Sequence, residues 1–229
     1  MDISVVIPVY NEESTLQKIF TLIKKTRIPS EILIIDDGST DSTSQIIKQL
    51  QEDPSVRVIT FPVNRGKGAA VSAGIKAAHG EIIILQDADL EYNPGEYKKL
   101  LKPFEKNQAE VVYGVRFMAT KKETSYFLHF IANKILTQIT NILYKSSLND
   151  METGYKIFRK DIFEQLQIKA DGFDFEPEFT AKLLKRKIKI YEVPITFKPR
   201  NYAQGKKIKF YDALAAVWTL IKVRFLDSK

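Results

Sequence analysis

The chain contains no cysteine, only two histidines and a single tryptophan among its 229 residues. Without cysteine there is no disulfide, no thiolate nucleophile and no Cys-ligated zinc or iron–sulfur centre, and two histidines cannot make a His-rich metal site. Any metal must be bound by oxygen. A basic leader with a cleavage site is also missing, since Met1 leads almost directly into the apolar run Ile3 to Ile7, and the cytoplasm is the expected compartment. The glycine patterns of common nucleotide loops are incomplete. "NRGKGAA" lacks the G-x-x-x-x-G-K-[ST] spacing and the third glycine of a dinucleotide fingerprint, which disfavours a P-loop NTPase or an NAD enzyme. Arg65 and Lys67 are still candidates to face a phosphate, although a tight turn explains the glycines equally well.

The composition, with 44% hydrophobic and 28% charged residues, is that of a soluble globular protein, and the length favours one large domain. The formal charge of +7 calls for an anionic partner. Lys and Arg are dense from Lys182 to Lys209, just before the apolar and aromatic stretch Phe210 to Phe225, an order that suits a membrane surface. Nucleic acid is not expected, because no nucleic-acid motif occurs and the candidate ligand-binding loops are acidic.

The first 115 residues alternate strand-like and helix-like runs. "ISVVI", "EILIID", "VRVIT", "EIIILQ" and "EVVYGV" are short, rich in Ile and Val and nearly all apolar, as strands covered on both faces are. Helices are expected over 13–26, 42–51, 68–79 and 95–106, the second capped by Thr40 or Asp41 and the fourth opened by Asn93-Pro94. The resulting βαβαβαβαβ pattern predicts a parallel, doubly wound α/β half. Residues 124–145 then place Phe127, Ile131, Ile135, Ile139 and Ile142 on one helical face, while Asn133, Gln138 and Asn141 argue against a spanning helix. An amphipathic helix is expected there, packed on the sheet domain or lying on a membrane, and again over 208–225.

In an open α/β sheet, ligands bind beyond the carboxyl ends of the strands. Those ends are polar here: "PVYNEE", "DDGSTD", "PVNRGKG" and "QDADLE". Asp36 and Asp37 stand at a strand terminus, where an acid can bond a ribose hydroxyl or a base N–H. A capped turn accounts for Thr40 and Asp41 but not for this pair. In "DADLE", Asp87, Asp89 and Glu91 share one face if the segment is extended. A hard divalent cation, Mg²⁺ or Mn²⁺, bound to a diphosphate would offset their repulsion.

Taken together, "VVIPVYNEE", "IIDDGSTD", "NRGKGAA", "ILQDADLEYNP" and "NDMETGYKIFR" resemble the family 2 glycosyltransferases of the GT-A fold, especially the dolichyl-phosphate mannose and glucose synthase-like branch. The resemblance covers nearly the whole chain, from residue 3 to about residue 210. It implies an α/β fold with a Rossmann-like, mostly parallel sheet and helices on both faces. One catalytic domain would comprise a nucleotide-binding half at 1–115, an acceptor-side half at 116–205 and a C-terminal amphipathic helix at 206–229. It further implies a nucleotide-sugar donor such as UDP-glucose or GDP-mannose, a DxD-type metal site and inversion at the sugar C1. By position, Pro8, Tyr10 and Glu12 would line the base pocket, Asp36 and Asp37 the base or ribose, and Asp87 and Ala88 the nucleoside. Asp89 and Glu91 would hold the cation; some relatives have Gln at the position of Glu91, so this chain carries an additional negative charge.

In the lipid-phosphate branch the acceptor is a polyprenyl phosphate, already anionic, and it needs cations more than a base. Arg116, Arg200 and Lys206 are the expected phosphate contacts, with Lys67 toward the donor. Relatives that glycosylate a hydroxyl need a carboxylate base, for which Asp150 and Glu152 are candidates; otherwise these two would order the acceptor loop and the sugar hydroxyls. The chain has His129 roughly where several lipid-phosphate synthases carry an arginine. The expected setting is the inner face of the membrane, bound peripherally, with a separate membrane subunit as a possible partner. A non-catalytic nucleotide-sugar-binding protein is the alternative from another class.

Overall fold

The computed structural model describes residues 1–106, 108–116, 124–199 and 210–227, the side chains of 124–129 and 210–211 excepted. In chain order the strands are β1 (Ile3–Val9), β2 (Glu31–Asp36), β3 (Val56–Thr60), β4 (Ile82–Leu85), β5 (Val111–Arg116), β6 (Lys156–Arg159) and β7 (Ile190–Ile195). The helices are α1 (Leu16–Thr26), α2 (Thr43–Leu50), α3 (Lys67–Ala77), α4 (Tyr97–Glu105), α5 (Thr124–Tyr144), α6 (Lys160–Leu166), α7 (Phe175–Lys185) and α8 (Phe210–Phe225), with a 3₁₀ turn at Pro94–Glu96. All five strands expected from the apolar runs form. Asp41 Oδ1 accepts the N–H of Thr43 at the start of α2, and Asn93 Oδ1 accepts that of Gly95.

The seven strands form one sheet in the order β3-β2-β1-β4-β6-β5-β7. The β1–β2, β1–β4, β2–β3 and β5–β7 pairs are parallel, while β6 runs antiparallel between β4 and β5. The expected parallel βαβ half is therefore interrupted: β5 does not pair with β4, because the later strand β6 is inserted between them. β2 and β4 are buried along their whole length, whereas β3 at one edge and β7 at the other are largely half-buried. Alternate residues point to opposite faces. Val5 and Ile7 join a core cluster with α1, α2 and α4, and Val6 joins one with α3, α6 and α7.

A third cluster lies outside the sheet. Leu136 of α5, Ala181 of α7 and Ala216, Leu220 and Val223 of α8 pack around Met151, which is fully buried. The apolar stripe predicted for α5 is only partly the packed one. Ile139 joins this cluster, but Ile131, Ile135 and Ile142 are 38%, 55% and 77% exposed, and the packed face is Leu136, Thr137 and Thr140. The Phe127 side chain lies outside the described ones. Packing around Met151 also anchors the loop that carries Asp150 and Glu152.

Candidate active site

Beyond β4 the chain makes an acidic turn pinned by one buried side chain. Gln86 Nε2 donates to the carbonyls of Asp87 and Tyr92 at 3.1 and 3.2 Å, and its Oε1 accepts from the Tyr97 hydroxyl at 3.0 Å. Residues 88 and 89 form a turn, Leu90 has φ +64°, and Glu91 N donates to Asp89 Oδ1 at 3.0 Å. The segment is thus not the extended run on which the shared face was predicted. The inside-outside alternation survives in another form: Ala88 is buried, Leu90 packs on the core, and Asp87, Asp89 and Glu91 are half-buried at the rim.

Asp87 pairs with Lys67 at 2.9 Å, and the same ammonium pairs with Glu176, at the start of α7, at 2.9 Å. Burial opposes the Lys67 charge, but the two carboxylates outweigh it and raise its pKa well above the ordinary value. Lys67 therefore stays charged and joins the acidic turn to α7. Arg65, by contrast, lies exposed over the Phe61 ring. The glycines of "NRGKG" are explained within the chain: a Cβ on Gly66, which has φ +103°, would strike the carbonyl of Asp171.

At the end of β1, Pro8 and Tyr10 are half-buried and Glu12 is buried, with the Glu12 N–H donating to Thr43 Oγ1 at 2.9 Å. Asp36 Oδ1 accepts from Ser39 N at 2.9 Å. Asp37 accepts from Arg65 N at 2.7 Å, from Gly66 N at 2.9 Å and from Asn64 Nδ2 at 2.9 Å. Asp37 thus ties the end of β2 to the loop entering α3, which brings Lys67 to the acidic turn.

On the other side of the rim, Arg116 at the end of β5 meets Asp150. Nε and Nη2 each donate at 2.7 Å, one to each carboxylate oxygen, and the Arg116 backbone N–H adds a bond of 3.1 Å. Burial pushes the Asp150 carboxyl up, but Arg116 outweighs that and holds it below its ordinary 3.8. The guanidinium also lies over Phe197, 5.3 Å from the ring centroid, and Phe197 packs on Tyr92. The loop 150–154 closes against the acidic turn: Gly154 N donates to the Tyr92 hydroxyl at 2.9 Å, and a Cβ on Gly154 would come within 2.6 Å of Asp87 Oδ2. Donor-side and acceptor-side candidates are in contact.

Behind this contact lies a charge cluster that the sequence reading missed in part. Lys156 is completely buried, donates to the carbonyls of Met151 and Thr153, and sits over the Tyr113 ring. Burial lowers it to about 8 despite the nearby Glu176 and Glu152. Glu152 is pushed up to about 7 by burial and by Glu176, with Lys156 and Arg116 opposing. Its Oε1 is buried and meets no hydrogen-bond partner. The only sequence signals for the missed residues were a lysine inside the apolar run "YKIF" and a glutamate in "FDFEPEF". Arg200 and Lys206 lie outside the described residues, as does the His129 side chain.

The donor set fits a hard cation that arrives with its ligand. Asp89 and Glu91 are rim carboxylates on one turn, and among the described residues no group of three or more metal-ligating side chains occurs. Mg²⁺ and Mn²⁺ are commonly held in this way, by one or two carboxylates with substrate phosphates and water completing the shell.

Comparison with known proteins agrees with this architecture. The sequence profile of glycosyl transferase family 2 matches residues 4–167. A dolichol-phosphate mannosyltransferase of Pyrococcus furiosus is 29% identical over 230 residues, covering 97% of this chain and 64% of the relative. Glycosyltransferase AglJ of Haloferax volcanii is 27% identical over 199 residues, covering 86% of this chain and 63% of the relative. The chain thus spans just under two thirds of the length of both. Among solved structures, glucosyl-3-phosphoglycerate synthase from Mycobacterium tuberculosis, in complex with Mn²⁺, UDP and glucosyl-3-phosphoglycerate, superposes with a TM-score of 0.74 at 18% identity. That alignment covers 100% of this chain and 81% of the synthase, and it shows a shared GT-A fold.

Proposed function

The chain belongs to glycosyl transferase family 2, and from that premise we propose that it transfers a hexose from a nucleoside-diphosphate sugar to a polyprenyl phosphate, with inversion at C1. The observation that carries this reading is the Arg116–Asp150 clasp. A hydroxyl acceptor needs a base, and Asp150 has both oxygens engaged and its basicity reduced by Arg116. A phosphate acceptor needs no base. Its anionic oxygen forms the new bond to C1 as the bond from C1 to the diphosphate oxygen breaks, and the electron pair leaves with the nucleoside diphosphate.

In this reading Arg116, whose Nε and Nη2 are held by Asp150, binds and orients the acceptor phosphate through the Nη1 side of its guanidinium. Arg200 and Lys206 are proposed as further phosphate contacts. Pro8, Tyr10, Glu12, the Asp36–Asp37 loop, Asp87 and Ala88 bind the nucleoside, and Lys67 faces the diphosphate. Asp89 and Glu91 would hold a divalent cation, which when bound would supply positive charge to the leaving diphosphate. The mannosyltransferase relative supports the lipid-phosphate acceptor, and the Mn²⁺–UDP complex of the synthase supports the cation.

The proposed setting is a membrane surface. Among the described residues no helix is long and apolar enough to cross a bilayer. α5 and α8 nevertheless leave Ile135, Ile142, Leu214 and Trp218 more than half exposed, with Lys145, Lys222 and Arg224 nearby in sequence. Such a mixture suits an interfacial helix pair on anionic lipid.

A second reading also rests on an observation: Glu152, pushed up to about 7, has the pKa of a competent base for a hydroxyl acceptor. The deciding experiment offers UDP- and GDP-sugars with short polyprenyl phosphates and with neutral sugar acceptors, with and without Mg²⁺ or Mn²⁺. The proposal expects a glycosyl phospholipid whose formation falls on the order of 100-fold on chelation. Transfer only to a hydroxyl, or an unchanged rate in chelator, contradicts it.

A further inference from the structure

Phe197 stands between the acidic turn and the Arg116 clasp and touches both. The guanidinium lies over its ring, 5.3 Å from the centroid, and the Tyr92 ring packs against it with centroids 5.3 Å apart. The ring is buried in the core cluster that also holds Tyr92 and Tyr155. Its backbone is fastened as well: Tyr92 and Phe197 form an antiparallel bridge, and Lys198 N donates to the Glu91 carbonyl at 3.1 Å. The chain just after β7 is thereby tied to the turn that carries Asp89 and Glu91.

A buried phenylalanine ordinarily needs no role beyond filling space, but the group on this ring face is a cation whose remaining surface matters. Arg116 donates Nε–H, Nη2–H and its backbone N–H to Asp150. A second carboxylate in the place of the ring would take the other N–H groups and cancel the rest of the positive charge. A carbonyl would take an N–H as well. An aromatic face attracts the guanidinium through its quadrupole and consumes no N–H. It therefore fixes the plane of the fork while leaving the Nη1 side to bond a phosphate oxygen. A leucine would fill the same space without holding the cation.

We propose that Phe197 is a positioning residue for the acceptor phosphate, acting through Arg116: its ring face holds the guanidinium at a fixed place relative to the turn carrying Asp89 and Glu91. This rests on the lipid-phosphate reading and adds to it the element that sets the spacing between acceptor and donor sides. The two sides depend on different parts of the residue. The ring face governs the acceptor side, whereas the turn is fastened by backbone bonds at 197 and 198 that a change of side chain keeps.

The test replaces Phe197 by phenylalanines bearing one, three and five ring fluorines, which drain the negative face with little change of shape, and by leucine, which removes it. Initial rates with a short-chain polyprenyl phosphate and whichever of UDP-glucose and GDP-mannose the parent turns over give separate KM values for acceptor and donor. The acceptor KM is expected to rise stepwise with fluorine number, reaching about 3- to 30-fold at five fluorines and in Phe197→Leu, while the donor KM stays within about twofold. Thermal melts check folding, and the fluorinated chains should melt close to the parent. A role in packing alone predicts otherwise: an acceptor KM that is flat across the fluorine series, with any loss in Phe197→Leu shared by both substrates and matched by a lower melting temperature. That result overturns the proposal. If the parent transfers no hexose to a polyprenyl phosphate, the lipid-phosphate reading falls and takes this inference with it, a result distinct from a flat series on an active parent.

Discussion

Arg116 and Asp150 form a three-point clasp in which Nε, Nη2 and the arginine's own backbone N–H all donate to one carboxylate. Both partners are largely buried, with side-chain exposures of 15% and 7%. Removing one partner of such a pair leaves an uncompensated charge, so Asp150→Ala is expected to cost about 3–5 kcal/mol in urea unfolding. The folded Asp150 pKa lies below 3.8, so its stabilisation is complete at neutral pH and is lost as pH falls below about 4. Asp150→Asn keeps the shape without the charge and should flatten that acid limb. In transfer assays both variants should raise the acceptor KM more than the donor KM, because the clasp orients the guanidinium proposed to bind the acceptor phosphate.

Lys67 bridges two carboxylates from distant parts of the chain, Asp87 and Glu176. Lys67→Met leaves those carboxylates facing each other, and a destabilisation of about 3–5 kcal/mol is expected, along with weaker nucleoside-diphosphate binding. Glu176→Gln is milder at Lys67 and has a second effect. Glu176 is the largest charge acting to raise Glu152, so the variant should let Glu152 ionise at lower pH. Carboxyl chemical shifts of Glu152 across a pH titration would show this, and an unmoved midpoint would break the proposed connection.

The sequence patterns made the sheet's first half legible because strands buried on both faces are almost purely apolar. β6 and β7 were not visible as strands, since "KIFR" and "IYEVPI" mix charge into short runs and pair with strands far away in sequence. α5 shows how a pattern misleads. Its isoleucine stripe is largely exposed, while Thr137 and Thr140 are buried, their hydroxyls satisfied by the carbonyls of Asn133 and Leu136. The acidic turn and Arg116 could be read from strand ends. Lys156 and Glu176 could not, because only the packing of α7 against α3 and β6 brings them to the site.

Glu152 makes a stability prediction opposite to that of Asp150. Its carboxyl is raised from an ordinary 4.5 to about 7, so the folded chain binds the proton more tightly than the unfolded one. Stability is therefore fullest below about pH 4.5 and declines as pH rises toward 7, by at most ~3 kcal/mol. Glu152→Gln cannot ionise, so its melting temperature should exceed the parent's at pH 8 and converge with it near pH 5. Parallel pH profiles for the two proteins would mean that Glu152 is not held neutral by the fold.

Trp218 is the only tryptophan in the chain and is 59% exposed on α8, beside α5 with its exposed Ile135 and Ile142. Its fluorescence therefore reports on that surface without labelling. If the α5–α8 face rests on lipid, vesicles of anionic phospholipid should shift the emission to the blue and sediment the protein, and neutral vesicles should do so less. Salt should weaken the binding, because exposed Lys145, Lys222 and Arg224 contribute attraction that is screened within a Debye length of about 8 Å at physiological ionic strength. Trp218→Ser removes the largest apolar contact and should lower vesicle affinity about 10-fold or more, while leaving the melting temperature nearly unchanged because the ring is mostly outside the packed cluster. Activity toward a water-soluble short-chain acceptor should survive the substitution, and activity toward a long-chain acceptor in vesicles should fall. Equal loss on both acceptors would place Trp218 in the fold or the site, and no spectral shift with any vesicle would mean that the exposed face is not a lipid contact.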